Sequence, residues 1–187
     1  MSDQPSDADA PDRQVDRDQI GARMRANAAG FRAALQRGDV RTRRPPATPA
    51  DPDPWSAVER ATQAADVYEA ADERLNRMLK KKNPTFAGWN RDRAAVEDRY
   101  AAGEVDKLAY RLASTAGKVA DLVDKVRADR WDRTGTRTDG AMFTVESYAV
   151  DVLAEVTDQL DRVDAGYRAI AEQIRRDAKR AASGADE

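Results

Sequence analysis

Apolar residues along this chain recur at intervals of three and four positions, the spacing that places side chains on one face of an α-helix. Between residues 106 and 131 the steps alternate strictly between four and three, as in a coiled coil. The residues of this seam are Leu108, Leu112, Thr115, Val119, Leu122 and Val126. The pattern predicts a helix over residues 106–131 that is buried along one narrow seam.

Two longer stretches carry a similar pattern. In residues 54–82 the seam has one polar interruption, Asp72, and its other members are Val58, Ala61, Ala65, Tyr68, Leu75 and Leu79. In residues 144–183 a stripe runs from Val145 to Ile174. Helices are predicted over both stretches, because Asp53 before Pro54 is a typical helix start and Thr144 is a typical N-cap. A shorter helix is predicted over residues 90–102.

The N-terminal part of the chain is organised differently. Residues 1–11 are polar and acidic, and predict a disordered tail. Residues 12–38 predict a basic amphipathic helix, whose narrow apolar stripe consists of Ile20, Met24, Phe31 and Leu35. Residues 39–54 are rich in proline and arginine, and predict an extended linker that isolates this helix.

The fold expected from these patterns is all-α. A helical bundle over residues 55–183, or an elongated antiparallel coiled-coil hairpin, is predicted to carry a tethered N-terminal helix, with a disordered tail at 184–187. Essentially no strand is expected. Because the apolar stripe of the N-terminal helix is short, residues 1–50 are expected to be dispensable for folding.

The last two long helices differ in predicted length. At 1.5 Å per residue, residues 144–183 extend roughly 57 Å and residues 106–131 roughly 39 Å. If the two form a hairpin, Ile170 and Ile174 project beyond the shorter helix. We therefore predict that this apolar tip mediates self-association into a homo-oligomer.

Composition removes many types of active site. The 187 residues include 32 basic and 34 acidic side chains, with no histidine and no cysteine. The most common general base and the thiolate metal ligands are therefore absent, and no nucleotide-binding loop is present. Carboxylate pairs such as Asp158 and Asp161 are interpreted as solvated helix faces. No cofactor, metal site or catalytic residue is predicted, and a cytoplasmic location without membrane contact is expected.

Arginines are concentrated in one part of the chain. Seven lie within residues 23–44, where the one acidic residue is Asp39: Arg23, Arg25, Arg32, Arg37, Arg41, Arg43 and Arg44. This segment is either a binding surface for phosphate or another acidic partner, or a solvated helix face and linker. Phe86 and Trp89 form an aromatic pair that either anchors a partner protein or closes the end of the core.

The function predicted from the sequence is that of a non-enzymatic structural or assembly protein, such as a scaffold, virion component or adaptor subunit, acting through helix–helix contacts with protein partners. The alternative is a nucleic-acid-binding accessory protein that uses the arginine-rich segment.

Overall fold

The computed structural model of the protein describes residues 16–52, 54–87 and 104–183, and most of them are helical. This confirms the predicted predominance of helix. The long helices within those ranges are α1 (Arg17–Leu35), α2 (Ala57–Lys80), α3 (Val105–Asp124) and α4 (Val145–Ser183). The predicted tails at 1–11 and 184–187 and the predicted helix at 90–102 lie outside the described residues.

Helix α2 begins at a capping box, three residues after the helix start predicted at Asp53. Ser56, rather than Asp53, is the N-cap: its hydroxyl accepts a hydrogen bond from the Glu59 amide at 3.3 Å. The Glu59 carboxylate in turn accepts from the Ser56 amide at 2.7 Å. This reciprocal pair satisfies two donors that a helix start otherwise leaves free.

The four helices form a ring in the order α1, α3, α2, α4, so that α1 stands diagonally across the bundle from α2, and α3 stands diagonally across from α4. Helices α1 and α4 run parallel, because Asn27 donates to Thr157 and, further along both helices, Tyr167 donates to the Ala34 carbonyl at 2.7 Å. Helix α2 is antiparallel to α4, since Arg60 near its start bonds Gln159 and Arg74 near its end bonds Tyr148.

The antiparallel coiled-coil hairpin predicted for the last two long helices is not found. Among the described residues, α3 packs on α1 and α2, and α4 packs on the same two helices from the other side. A helix that contacts two neighbours needs a wider apolar face than a coiled-coil seam. In α3 this face includes Ala116, Ala120 and Val123 in addition to Leu112, Thr115 and Val119.

The prediction of a tethered N-terminal helix is wrong. Ile20, Met24, Phe31 and Leu35 of α1 are all fully buried and belong to the single core cluster formed by the described residues. The linker is also held against the bundle rather than extended away from it. The Nε of Arg44 donates to the Glu59 carboxylate at 3.1 Å, and Pro45 lies against Gly166 of α4.

A small three-stranded sheet corrects the expectation of essentially no strand. Strand β1 (Thr85–Phe86) pairs in parallel with β2 (Thr134–Arg137), which forms an antiparallel hairpin with β3 (Met142–Thr144). Threonine favours strands, and Asp139 followed by Gly140 suits a tight turn, in which Gly140 has a φ of +92°.

The described helices include none that combines the length and the apolar character needed to cross a membrane.

Candidate functional site

A cleft of about 470 Å³, called the upper cleft here, opens between α2, α4 and the sheet. Its walls are partly apolar, and its polar groups converge from three elements that are distant in the chain. The side chains that matter for its chemistry are Arg74 of α2, Arg137 of β2, and Tyr148, Asp151, Glu155 and Asp158 of α4. A concave site of this size with a few convergent polar groups is typical of small-molecule binding.

Both guanidinium groups of the upper cleft are held in place. Arg74 donates to the Tyr148 hydroxyl at 2.9 Å and lies over the Phe86 ring, 5.3 Å from its centroid. Arg137 donates from Nε to both oxygens of Asp139, at 2.9 and 2.8 Å. Because these contacts restrain both arginines before any ligand binds, little side-chain entropy remains to be lost on binding.

Asp151 differs from the other carboxylates of the cleft. Among the described residues its carboxyl group accepts no hydrogen bond, although the charge of Arg137 acts on it. Desolvation by its surroundings raises the pKa of Asp151, and this effect outweighs the opposing influence of Arg137. Burial likewise raises the pKa of the Tyr148 hydroxyl, which therefore stays protonated at neutral pH.

A second cavity of about 270 Å³, called the lower cleft here, adjoins the first along α4. The two share Glu155 and Asp158, and the lower one is also lined by Asp51, Trp55, Arg60, Gln63, Gln159 and Arg162. A chain of hydrogen bonds crosses it. Arg60 donates to Gln159 at 2.8 Å, and Gln159 donates to Glu155 at 3.2 Å.

Arg60 is the most enclosed cation of this layer. Its side chain is 9% exposed, and Asp51 approaches it only to 3.6 Å. Its buried Nε has no hydrogen-bond partner among the described residues. Burial and the charge of Arg162 lower the pKa of Arg60, yet a guanidinium keeps its proton at physiological pH.

The described residues do not suit a bound transition metal. The chain contains neither histidine nor cysteine, and no group of three acidic side chains in the described part of the chain could hold a metal ion. The carboxylates of the clefts are spread along α4 at successive helical turns. We therefore derive no chemical step through a metal.

The arginines predicted to bind an acidic partner do not form one surface. Arg25 pairs with Asp121 and Asp124, Arg37 lies over the Tyr167 ring, and Arg41 donates to the Leu35 carbonyl. Arg44 pairs with the buried Glu59, whereas Arg23, Arg32 and Arg43 are exposed. Within the described residues, Arg25, Arg37 and Arg44 have acidic partners and Arg23, Arg32 and Arg43 face solvent, so binding to an acidic partner stays a prediction.

The residues predicted to mediate self-association and to anchor a partner differ in exposure. Ile170 is buried, whereas Ile174 is 47% exposed. Phe86 is buried, and its ring packs 5.6 Å from the ring of Tyr148, so that it forms part of the upper cleft's support. Trp89 lies outside the described residues. Self-association through the end of α4 stays a prediction.

Sequence analysis missed the cleft, although a signal for it is present. Polar residues occupy α4 at intervals of three and four, which places them on one helix face beside the apolar stripe. These residues are Tyr148, Asp151, Glu155, Asp158 and Arg162. A polar stripe with helical periodicity was interpreted as solvent-facing, whereas here it lines the groove between two helices.

No family model matches this chain, and none of the curated proteins matches it. Among solved structures it is similar to YfiT from Bacillus subtilis, described as a probable metal-dependent hydrolase with an unusual four-helix bundle topology. The TM-score is 0.70 at 14% identity over 90% of this chain and 93% of the other. It is also similar to the mycothiol-dependent maleylpyruvate isomerase, with a TM-score of 0.61 at 9% identity over 80% of this chain and 61% of that one.

These likenesses concern the fold, and they correct the functional prediction. A non-enzymatic structural or assembly protein built on a coiled coil was expected, because no familiar catalytic motif is present. That prediction is wrong: the bundle is shared with proteins described as a probable hydrolase and an isomerase, and the described helices pack as a four-helix bundle rather than as a coiled-coil scaffold. The chain therefore has a four-helix bundle fold of a kind found in enzymes.

Proposed function

We propose that the protein is an enzyme that binds a small organic anion in the upper cleft and catalyses proton transfer on it with its own side chains. One observation carries the proposal: the unbonded carboxyl of Asp151 faces the same concave site as two restrained guanidinium groups, Arg74 and Arg137. The fold's likeness to two proteins named as enzymes supports it.

Binding relies on the two arginines. A guanidinium presents several N–H donors in a plane and pairs well with a carboxylate or an enolate oxygen. Arg74 and Arg137 enter the cleft from opposite walls, since one lies on α2 and the other on β2. Between them, Val67 and Phe143 provide apolar surface for the carbon skeleton of the ligand.

Proton transfer relies on Asp151. A carboxylate whose pKa is raised is a stronger base than an ordinary aspartate, and it still loses its proton readily enough to return it. In the proposed step the Asp151 carboxylate takes a proton from carbon, and the electron pair left behind delocalises onto an oxygen held by the arginines. Asp151 then returns the proton to a second carbon of the same molecule, which completes an isomerisation without a change in composition.

Binding is tested by titrating the protein with a panel of small mono- and dicarboxylates and measuring affinity by calorimetry. We expect at least one of them to bind to the wild type, and Arg74→Gln to weaken that binding about tenfold or more, because a charge-assisted hydrogen bond is lost. Arg175→Gln is the matched control, since Arg175 lies on the exposed end of α4 away from the clefts. Equal affinity in the wild type and Arg74→Gln would overturn the proposal.

Asp151→Asn separates the catalytic from the structural contribution of this carboxyl group. With a carboxylate that binds and is converted, the turnover number should fall by about 10²–10⁴-fold. Because the pKa of Asp151 is raised in the folded state, ionising it costs stability, so the unfolding free energy falls as pH rises from the ordinary aspartate pKa through the raised one.

The melting temperature provides the second readout for Asp151→Asn. At neutral pH we expect it to exceed that of the wild type by an amount on the order of 1–2 °C. The difference should vanish below the ordinary aspartate pKa, where the wild-type carboxyl is protonated in both folded and unfolded states. A lower melting temperature together with unchanged turnover would contradict the role given to Asp151.

A further inference from the structure

Gln63 of α2 is a nearly buried side chain whose hydrogen-bonding capacity is unused. The residue is 5% exposed and lines the lower cleft. Its carboxamide makes no hydrogen bond among the described residues, although its neighbour in the same layer, Gln159, is bonded at both ends of its amide. Both amide atoms keep a small accessible area, so the group opens into the cleft and is available to a ligand.

The charges around Gln63 are largely matched within the protein. Arg162 donates to Asp158 at 2.7 Å, Arg60 faces Asp51 at 3.6 Å, and the Glu155 carboxylate accepts from Gln159. A ligand group that carries a full charge would have to compete with these pairs. A neutral group with one donor and one acceptor suits the site better, because the Gln63 amide offers an N–H and a C=O side by side.

The lower cleft adjoins the upper one along α4, and Glu155 and Asp158 line both of them. Gln63 lies one helical turn after Arg60, which bonds Gln159, so in this antiparallel pair of helices it stands near the level of Glu155. Four residues separate Glu155 from Asp151, which is about 6 Å at 1.5 Å per residue. A molecule that follows this wall of α4 would contact both clefts.

We infer that the lower cleft is a recognition subsite for an amide group, and that the substrate is an organic anion with a carboxamide or peptide bond about 6 Å from its reacting end. Gln63 is the specificity residue: its Oε1 accepts from the ligand N–H, and its Nε2 donates to the ligand carbonyl. This inference rests on the proposed function, because the anionic end of the same molecule occupies the upper cleft.

The test uses three probes that share one carboxylate end. The first is a pentanoate chain with an acetamido group at its far end, the second replaces the amide by an ester, and the third is an unsubstituted fatty acid of equal length. Affinities are measured by calorimetry. We expect the amide probe to bind the wild type about tenfold more tightly than either of the others, since both lack the N–H donor.

Gln63→Met removes the donor and acceptor while keeping the length of the side chain. Its affinity for the amide probe should fall to that of the fatty acid, with the fatty acid's own affinity unchanged. Gln173→Met, beyond the clefts on α4, is the matched control and should retain the tenfold preference. Thermal unfolding of both variants verifies folding, and Gln63→Asn, which keeps the amide but shortens its reach, should give an intermediate preference.

The outcomes separate the inference from the proposed function. If all three probes bind equally to the wild type and Gln63→Met changes nothing, the amide subsite is refuted while the carboxylate site of the upper cleft stands. If no probe and no simple carboxylate binds, both are overturned.

Discussion

Deleting residues 1–50 is expected to unfold the protein, in contrast to the dispensability inferred from the sequence. The deletion removes α1, and with it four fully buried apolar side chains, those of Ile20, Met24, Phe31 and Leu35. At about 1.5–3 kcal/mol for each, their burial contributes roughly 6–12 kcal/mol. This is comparable to the whole free energy of unfolding of a typical domain, about 5–15 kcal/mol.

Circular dichroism and thermal unfolding of the truncated chain check this result. A single substitution perturbs the packing of α1 more mildly than the deletion does. Phe31→Ala should lower the free energy of unfolding by about 3–5 kcal/mol, because a cavity remains between α1 and its neighbours. Arg23→Ala, on the exposed face of the same helix, should change it by less than about 0.5 kcal/mol. A truncated chain with the wild-type melting temperature would show that α1 is not part of the core.

Glu59→Ala is expected to be the most damaging substitution of a polar residue. The Glu59 side chain is 5% exposed and accepts hydrogen bonds from the Ser56 amide, the Ser56 hydroxyl and Arg44. Its removal ends the capping box and leaves these donors without their carboxylate. The expected loss is about 2–3 kcal/mol in the free energy of unfolding, from the lost helix cap and a charge-assisted hydrogen bond, because Arg44 is 43% exposed and regains water.

Denaturant unfolding of three variants tests the reason for this loss. Glu59→Gln keeps an acceptor for the helix cap and loses only the charge, so it should be less destabilising than Glu59→Ala. Glu73→Ala removes the exposed partner of Arg77 on the same helix and should cost about 0.5 kcal/mol or less. Equal effects of Glu59→Ala and Glu73→Ala would refute the importance of the buried carboxylate.

The helices could be predicted because their signals are local. Periodic apolar residues and boundary residues predicted the ends of α2 and α4 to within three residues, whereas α3 ends at Asp124, seven residues before the predicted end at 131. The true cap of α2 was visible as Ser56 followed by Glu59 three residues later. The sheet was missed because its strands have two to four residues each, too short for an alternating pattern to register. The hairpin of β2 and β3 is stabilised partly by contacts with other elements, because Gly135 packs closely against Phe86 of β1 and Met78 of α2.

The candidate site could not be predicted in the same way, because its members come from separate elements. Nothing near Arg74 in the chain indicates Tyr148, to which it donates, or Asp151, which shares its cleft. The absence of histidine and cysteine argues against the metal and thiol chemistries that depend on those residues, but it was then taken to exclude enzymes altogether. A carboxylate among arginines has no sequence motif, since its reactivity depends on desolvation and neighbouring charge.

The sequence by itself determined which segments are helical and which side chains in them are apolar, because backbone hydrogen bonds and side-chain periodicity within a helix involve residues at most four apart. The tertiary structure decided which helices are neighbours. The ring order α1, α3, α2, α4 places α1 in the core and leaves the polar stripe of α4 beside α2, where it lines a cleft instead of facing open solvent. Pairing between helices depends on how all four apolar faces are buried together, and no single segment carries that information.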